Sequence, residues 1–403
     1  MSMKVSVFGS TGSIGTSTLD VIAYANAQSD VGIEVDTLVA GRNLDLLVEQ
    51  AKTFRPAHVV LQDESRIEDL RSALAGTGVS IAAGSDAAIE AAARPVDKLV
   101  AAISGTDGVV STVTAIDAGV DVLLANKEAM VCAGPIILEK AERSGANIIP
   151  VDSEHNAIFQ CLDQSSGLER IILTASGGPF LSAPLEDMRL ATPEKALAHP
   201  NWSMGAKNSL DSATMMNKGL ELIEAVYLFG VPQSKIDVVI HPQSIIHSLV
   251  SYKDGSVIAQ MGSPDMRTPI AYALSCPDRI ETAVERLDLV ALSRLDFSEP
   301  DHQRFPALNL ARLAADAGTL GTSVFNAANE AAGSGFLSKK CGFLDISTIV
   351  ERCLSKALDT AKSQMPHRIT TVDDVLYVTD RVRGWVRDEL AEQTGKILHV
   401  VDR

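Results

Sequence analysis

The sequence is poor in the features that mark secreted, membrane and nucleic-acid-binding proteins. Only 4% of its residues are aromatic, and its five cysteines are scattered without a Cys-x-x-Cys pair, so neither a disulfide framework nor a zinc cluster is indicated. No apolar run approaches the roughly 20 residues that a membrane helix needs. Its 51 acidic residues outnumber 35 basic ones, for a net charge of -16, which argues against binding to nucleic acid or to anionic lipid.

The composition that remains is that of a globular chain. It is 46% hydrophobic and 21% charged, close to average soluble usage. At 403 residues the chain is too long for one hydrophobic core, so two or three domains are expected. The first residues run directly into a strand-like segment at 5–8, which leaves no room for a signal peptide and predicts a cytoplasmic protein.

The first 150 residues show a regular alternation of strand-like and helix-like segments. Such strands are apolar on both faces, as a parallel sheet covered by helices on each side requires. Residues 1–150 are therefore predicted to form a Rossmann-like, doubly wound α/β domain. The predicted strands lie at residues 5–8, 34–40, 58–61, 98–103, 121–125 and 147–149.

The amino-acid composition changes after residue 150. Residues 151–278 are dense in Ser, Gly, Pro, His and Asn, and are predicted to form an α+β catalytic domain with a mixed sheet. A hairpin is expected at 245–252 and 256–261 around an Asp-Gly turn. Residues 279–306 have little periodicity and indicate a linker, while helical spacing over 307–403 predicts a C-terminal helical bundle.

A glycine-rich turn follows the first predicted strand. In Gly9-Ser-Thr-Gly12-Ser-Ile-Gly15 the amides and the helix N-terminus are suited to a pyrophosphate, because side chains there would block its approach. Thr11, Gly12, Ser13 and Ile14 are predicted to contact the cofactor. The alternative is a plain tight turn between a strand and a helix.

Two further strand ends carry candidate cofactor contacts. The second strand ends in Gly41-Arg42-Asn43 without a carboxylate for the ribose hydroxyls, and Arg42 is suited to a 2′-phosphate, which favours NADPH. The alternative is a solvated surface arginine. Asn126, Lys127 and Glu128 follow a late strand and are assigned to the nicotinamide end, although Lys127 and Glu128 are also compatible with an ordinary helix start.

Three acids are candidate metal ligands. Asp152 and Glu154 are two residues apart, and in an extended chain they point to the same side. Two adjacent carboxylates favour a shared Mg²⁺ or Mn²⁺, and the alternative is that they cap the next helix. Glu221 is a third candidate ligand.

Candidate phosphate-binding residues precede the third acid in the sequence. Asn217 and Lys218 lie one helical turn before Glu221 and are suited to holding a substrate phosphate, unless the three residues form only a surface pair. Ser176, in a Ser-Gly-Gly-Pro turn, and Ser212 offer further phosphate-binding groups.

A polar segment at about 198–208 contains one of only two tryptophans. It is interpreted as a lid in which Trp202 and Met204 exclude water and His199 reaches the phosphate or the reacting centre. The alternative is that Trp202 anchors the core and that His199 is a structural histidine.

Together these segments resemble one enzyme family along the whole chain, the 1-deoxy-D-xylulose 5-phosphate reductoisomerases. The resemblance rests on long motifs that occur in the family's order. They are Gly9-Ser-Thr-Gly-Ser-Ile-Gly15, Leu124-Ala-Asn-Lys-Glu128, Val151-Asp-Ser-Glu-His-Asn-Ala-Ile-Phe-Gln160, Ser176-Gly-Gly-Pro-Phe180, His199-Pro-Asn-Trp-Ser-Met204, Asp211-Ser-Ala-Thr-Met-Met-Asn-Lys-Gly-Leu-Glu221 and Pro264-Asp-Met-Arg-Thr-Pro269.

The resemblance implies a homodimer that uses NADPH and Mg²⁺, Mn²⁺ or Co²⁺ to convert 1-deoxy-D-xylulose 5-phosphate to 2-C-methyl-D-erythritol 4-phosphate in isoprenoid biosynthesis. It also implies site roles. The implied catalytic residues are Lys127, Asp152, Glu154, His199 and Glu221, with metal on Asp152, Glu154 and Glu221. The implied substrate contacts are Ser153, Glu154, Ser176, His199, Trp202, Ser212, Asn217, Lys218 and Glu221, and Gly205 joins the cofactor contacts already named.

The chain departs from the family pattern at two lid positions, where Ala206 replaces a commonly basic residue and Asn208 a commonly apolar one. Two rival functions remain open at this point. A simple NADP-dependent dehydrogenase explains the glycine turn but gives no role to three acids beside a phosphate site. A non-catalytic nucleotide sensor would not need to retain all three acids.

Overall fold

The structure is a computed structural model that describes residues 2–28, 32–163, 167–200, 202, 205–359, 365–366 and 368–401. The chain forms two compact units, each assembled from three segments. The first unit comprises Met1–Ala129, Ile137–Phe159 and Asp265–Arg286, and the second comprises Met130–Ile136, Gln160–Pro264 and Leu287–Arg403.

The strands and helices are numbered along the chain. The strands are β1 (Met3–Phe8), β2 (Ile33–Ala40), β3 (His58–Leu61), β4 (Ser80–Ala83), β5 (Lys98–Ala101), β6 (Asp121–Leu124), β7 (Ile148–Pro150), β8 (Leu168–Ala175), β9 (Ile236–Ile240), β10 (Ile246–Tyr252) and β11 (Val257–Met261). The helices are α1 (Ser13–Gln28), α2 (Leu44–Phe54), α3 (Ile67–Ala73), α4 (Ser85–Ala92), α5 (Val109–Asp117), α6 (Lys127–Ser144), α7 (Ser153–Cys161), α8 (Leu185–Arg189), α9 (Pro193–Ala196), α10 (Ala206–Ala213), α11 (Met216–Phe229), α12 (Arg267–Ser275), α13 (Leu289–Leu292), α14 (Ala307–Asp316), α15 (Gly318–Leu337), α16 (Asp345–Leu358) and α17 (Val372–Val401).

The first unit is built on a parallel sheet in the order β4-β3-β2-β1-β5-β6-β7. Its strands are buried on both faces, as in β1, where Val5 and Val7 are fully buried and Ser6 is buried with them. Because helices must cover both faces of such a sheet, this is the predicted doubly wound architecture. Strand β4 was not predicted, since it is a four-residue edge strand that is only partly buried and has one β-branched residue.

Helix α12 returns to the first unit from much later in the chain. It packs against α1, and Lys98 Nζ donates to the carbonyls of Ala273 at 3.2 Å and Leu274 at 2.7 Å. A lysine in this position satisfies carbonyls that lack partners at a helix end. Residues 265–278, expected within the segment 151–278, therefore pack with the first unit.

The second unit contains a mixed sheet in the order β11-β10-β8-β9, in which β8 and β9 are parallel and the other pairs antiparallel. The predicted hairpin is present, with Val250 opposite Ile258. Segment 279–306 carries α13 and a bridge between Ser298 and Ile240. Helices α14, α16 and α17 pack around α15, which confirms the predicted bundle. Membrane crossing would need a longer or more apolar helix than any found in the described part of the chain.

Two helical glycines of the bundle differ in the space around them, so substitution of each by alanine should change the free energy of unfolding in opposite directions. A Cβ on Gly321 would lie 2.4 Å from the carbonyl oxygen of Ala314, so Gly321→Ala should lower the free energy of unfolding by about 1–3 kcal/mol. A Cβ on Gly384 would meet only the end of Arg387, at 3.7 Å. Gly384→Ala should therefore raise stability by about 0.5–1 kcal/mol, because alanine loses less backbone entropy in a helix.

Urea unfolding followed by circular dichroism measures both changes, with the Gly384 variant as the matched control. Equal destabilisation by both substitutions would contradict the packing of α15 against Ala314.

Candidate active site

The glycine-rich turn lies where the strand order of the parallel sheet reverses, between β1 and β5. Open α/β sheets bind ligands at this position. A Cβ on Gly9 would lie 2.4 Å from the oxygen of Ala102, and one on Gly15 would lie 2.3 Å from the oxygen of Gly9. The turn is therefore closed to larger side chains, and the predicted contact residues 11–14 lie at the start of α1. These features fit a dinucleotide pyrophosphate better than a plain turn.

The segment after β2 has one exposed cation and one capping residue. Arg42 is exposed, which leaves it accessible to a 2′-phosphate. Asn43 accepts a hydrogen bond from the amide of Leu46 at 3.3 Å and so caps α2. Gly41 lies between β2 and this cap. Asn43 thus has a structural role, as a helix cap, in addition to its predicted contact with the cofactor.

The segment after β6 is the start of a helix, as in the alternative interpretation of Lys127 and Glu128, but this helix start is buried. Asn126 caps α6 by accepting from Ala129 N at 3.3 Å, and its amide donates to Gly105 O at 3.0 Å. Lys127 and Glu128 are both buried. Since charged side chains are rarely buried without a partner, this pair differs from the exposed pair of an ordinary helix start.

The buried lysine pairs with one of the predicted metal ligands. Lys127 Nζ lies 2.7 Å from an Asp152 carboxylate oxygen, and His155 Nδ1 lies 3.4 Å from the same oxygen. Burial by itself raises the pKa of Asp152, but Lys127 and His155 outweigh it and hold that pKa below its usual range. Asp152 is therefore an anionic oxygen donor at neutral pH.

The extended geometry expected for the two adjacent acids is wrong. Helix α7 begins at Ser153, so Asp152 precedes the helix and Glu154 lies in its first turn. The hydroxyl of Ser153 donates to Glu154 Oε2 at 2.5 Å. His155 was missed as a partner of Asp152, although its i,i+3 spacing at a helix start would have indicated the contact.

The predicted phosphate and metal residues of α11 lie in the second unit. The Glu221 carboxylate accepts from both Asn217 Nδ2 and Lys218 Nζ. Lys218 is 3% exposed and Glu221 is fully buried. The alternative of a surface pair is therefore wrong for these residues, and the buried glutamate has its charge compensated by the lysine.

Two predicted phosphate-binding serines lie on neighbouring elements. Ser176 opens a turn in which Gly177 and Gly178 have φ of 83° and 65°, a region that favours glycine. A Cβ on Gly178 would lie 2.8 Å from the carbonyl oxygen of Ser212. The turn thus packs directly against α10, which carries Ser212.

His199 contacts the same turn. Its Nδ1 accepts from the amide of Trp202 at 3.0 Å, and its Nε2 lies 2.9 Å from Ser176 Oγ. Because Nδ1 is an acceptor, the proton of the neutral ring is on Nε2, which donates to the serine. Trp202 is half-buried, with its ring 6.1 Å from that of His247. In the predicted lid, Asn201, Ser203 and Met204 lie outside the described residues, and Gly205 precedes α10.

Family models match three successive parts of the chain. The model of 1-deoxy-D-xylulose 5-phosphate reductoisomerase matches residues 5–134, and two models of C-terminal domains of this enzyme match residues 148–229 and 261–385. The chain belongs to the 1-deoxy-D-xylulose 5-phosphate reductoisomerase family. The predicted family and enzyme class are thereby confirmed.

Reductoisomerases from several bacteria are similar over most of the chain. The enzyme of Caulobacter vibrioides is 53% identical over 88% of both chains, and that of Rhodospirillum centenum is 49% identical over 97% of this chain and 95% of its own. The Zymomonas mobilis reductoisomerase in complex with NADPH has a TM-score of 0.89 at 45% identity, covering 97% of this chain and 99% of that chain. A reductoisomerase in complex with NADPH, fosmidomycin and magnesium has a TM-score of 0.91 at 41% identity, covering 96% and 98%.

Burial lowers the pKa of His199 below its ordinary value, and this has a measurable consequence. The unfolded chain takes up a proton near pH 6.5, whereas the folded imidazole resists protonation. The stability contributed by the neutral ring is therefore fully present above about pH 6.5 and is lost as pH falls through the lower folded pKa. In a proton NMR titration the ring signals of His199 should shift at a pH below 6.5.

The signals are assigned as those that disappear in His199→Gln, and His302→Gln removes an exposed histidine as the control. A midpoint for His199 above 6.5 would contradict the hydrogen bond from Trp202 to Nδ1.

Proposed function

We propose that this protein converts 1-deoxy-D-xylulose 5-phosphate to 2-C-methyl-D-erythritol 4-phosphate with NADPH and a divalent cation, in the methylerythritol phosphate route to isoprenoids. The family membership carries the proposal, because relatives that match almost the whole chain bind NADPH, magnesium and fosmidomycin. A consumption assay with the purified protein, the substrate, NADPH and Mn²⁺ tests it. Absence of both NADPH oxidation and the branched product would reject the proposal.

Asp152, Glu154 and Glu221 are the proposed metal ligands. Carboxylate oxygens suit Mg²⁺, Mn²⁺ or Co²⁺, and both the ionised Asp152 and the fully buried Glu221 are anionic groups that a cation would stabilise. The bound ion supplies Lewis-acid polarisation of the ketose oxygens. Lys127 orients Asp152 through its ion pair, and Ser153 holds Glu154 toward the substrate by its hydrogen bond.

The phosphate of the substrate is assigned to the second unit. Five hydrogen-bond donors are proposed for it. They are the hydroxyls of Ser176 and Ser212, the amide of Asn217, the ammonium of Lys218 and the Nε2 proton of His199. The phosphate lies away from the reacting carbons, so its binding energy serves to orient them. Trp202, in the lid, excludes water when substrate is bound.

The proposed NADPH contacts belong to the first unit, except Gly205, which belongs to the second. The turn at residues 11–14 holds the pyrophosphate, and Arg42, with Gly41 and Asn43, holds the 2′-phosphate. Asn126 to Glu128 and Gly205 contact the nicotinamide half. The constricted glycine positions support this assignment, because a close backbone approach is what a pyrophosphate needs.

The separation of the two roles can be tested at Glu221. Glu221→Gln removes the proposed ligand charge but keeps the shape, and should lower kcat by roughly 100-fold or more while leaving NADPH affinity unchanged. NADPH fluorescence titration and steady-state assays measure the two effects. Glu169→Gln, an exposed residue on β8, is the control, and equal loss of cofactor binding and turnover in the Glu221 variant would count against this division.

The proposed assembly is a homodimer formed through β11. This strand is at the edge of the mixed sheet and carries apolar side chains that are unusually exposed, with Val257 at 54%, Ile258 at 46% and Met261 at 37%. Exposed, apolar edge strands pair readily with another chain. A second copy of the same strand would cover these side chains and continue the sheet.

Ile258→Lys should convert the dimer to a monomer in analytical ultracentrifugation, because a charge on an edge strand opposes pairing. Lys253→Ala, in the hairpin turn, leaves the strand unchanged and is the control. A dimer of unchanged affinity in the Ile258 variant would place the interface elsewhere.

A further inference from the structure

Helix α10 carries, beside Ser212, a buried aspartate to which the proposed chemistry gives no role. Asp211 is 3% exposed. Its carboxylate accepts from Lys207 Nζ at 2.8 Å, within the same helix, and from Asn329 Nδ2 at 2.8 Å, on α15. A buried carboxylate is costly unless charged or polar groups compensate it. The two contacts therefore hold Asp211 in one position.

Asn329 is a rigid partner for this carboxylate. It is 1% exposed and lies on α15, the helix against which the other helices of the bundle pack. Its amide has few rotamers available in such packing. Asn326, one turn earlier on the same helix and fully buried, instead donates to Glu330 of its own helix at 3.3 Å. The bond to Asp211 thus links α15 to α10, whereas the bond from Asn326 to Glu330 stays within α15.

The position of α10 in turn determines the geometry of the serine turn. The Gly178 position lies so close to the carbonyl of Ser212 that an added Cβ would be 2.8 Å away. A small displacement of α10 therefore changes the spacing of Ser212 from the turn that carries Ser176. Phosphate binding through several short hydrogen bonds is sensitive to such displacements.

We propose that Asp211 and Asn329 are positioning residues for phosphate binding, because their hydrogen bond fixes α10 against α15 and so sets the spacing of Ser212 and the serine turn. Lys207, the other partner, compensates the charge of the carboxylate. The inference rests on the proposed assignment of the substrate phosphate to Ser176 and Ser212.

Inorganic phosphate is the probe, since it resembles the part of the substrate that these serines are assigned to bind. In the holoenzyme with NADPH and Mn²⁺, Asn329→Ala should raise the inhibition constant of phosphate and the KM for substrate by roughly fivefold to tenfold, with kcat changed less than about threefold. The matched control is Asn326→Ala, which removes an equally buried amide from the same helix. Asn326→Ala should leave the inhibition constant of phosphate and the KM for substrate within about twofold of the unsubstituted protein. It should lower the melting temperature about as much as Asn329→Ala does, because each removes one buried hydrogen bond.

A rescue variant separates positioning from general damage. Combining Asp211→Asn with Asn329→Asp reverses donor and acceptor across the same contact, and should bind phosphate more tightly than either single variant. Equal inhibition constants for Asn329→Ala and Asn326→Ala would overturn the inference, as would a double variant no better than the singles. If Ser212→Ala leaves the phosphate constant unchanged, the proposed phosphate site itself is wrong. If Ser212→Ala raises it and Asn329→Ala does not, only the positioning role fails.

Discussion

A carboxylate that is removed from water needs a nearby positive charge or hydrogen-bond donor to replace its lost hydration. Three buried or half-buried acids of this protein have a lysine close in space that supplies it. Asp152 pairs with Lys127, Glu221 with Lys218 and Asp211 with Lys207. In each pair the attraction between the two charges offsets part of the lost hydration. Charged acids are thereby retained in the protein interior, and Asp152 and Glu221 are the two of them proposed as metal ligands. For Asp152, Lys127 and His155 outweigh the effect of burial and hold the pKa of the carboxyl below its usual range.

The backbone of each unit supports these pairs in a different way. In the first unit, the carboxyl ends of β6 and β7 are adjacent, and Lys127 and Asp152 each lie shortly after one of them. In the second unit, the pairing is local, since Lys218 and Glu221 share one face of α11. The sheet therefore brings together residues distant in sequence, whereas the helix needs only the i,i+3 spacing.

The sequence was most informative where a local rule decides the structure. The hairpin at residues 245–261 follows from an Asp-Gly turn between alternating strands, and the buried strands β1 and β2 follow from their apolar runs. Strand β4 was missed because pairing with β3, rather than its own composition, makes it a strand. The extended backbone expected at Asp152 and Glu154 was wrong because the chain becomes helical at Ser153, where a period of 3.6 replaces the period of two, although a carboxylate oxygen of each still lies within 4.8 Å of one of the other.

The sequence by itself determined the family, and it predicted two kinds of phosphate-binding segment and three acids suited to a metal, since these depend on residue types at fixed short spacings. Only the tertiary structure decided what each side chain contacts. It placed the Lys98 ammonium against the carbonyls at the end of α12, which returns that helix to the first unit, and it paired Asp211 with Asn329. Contacts between residues more than a hundred positions apart depend on how whole elements pack, and no local pattern records that packing.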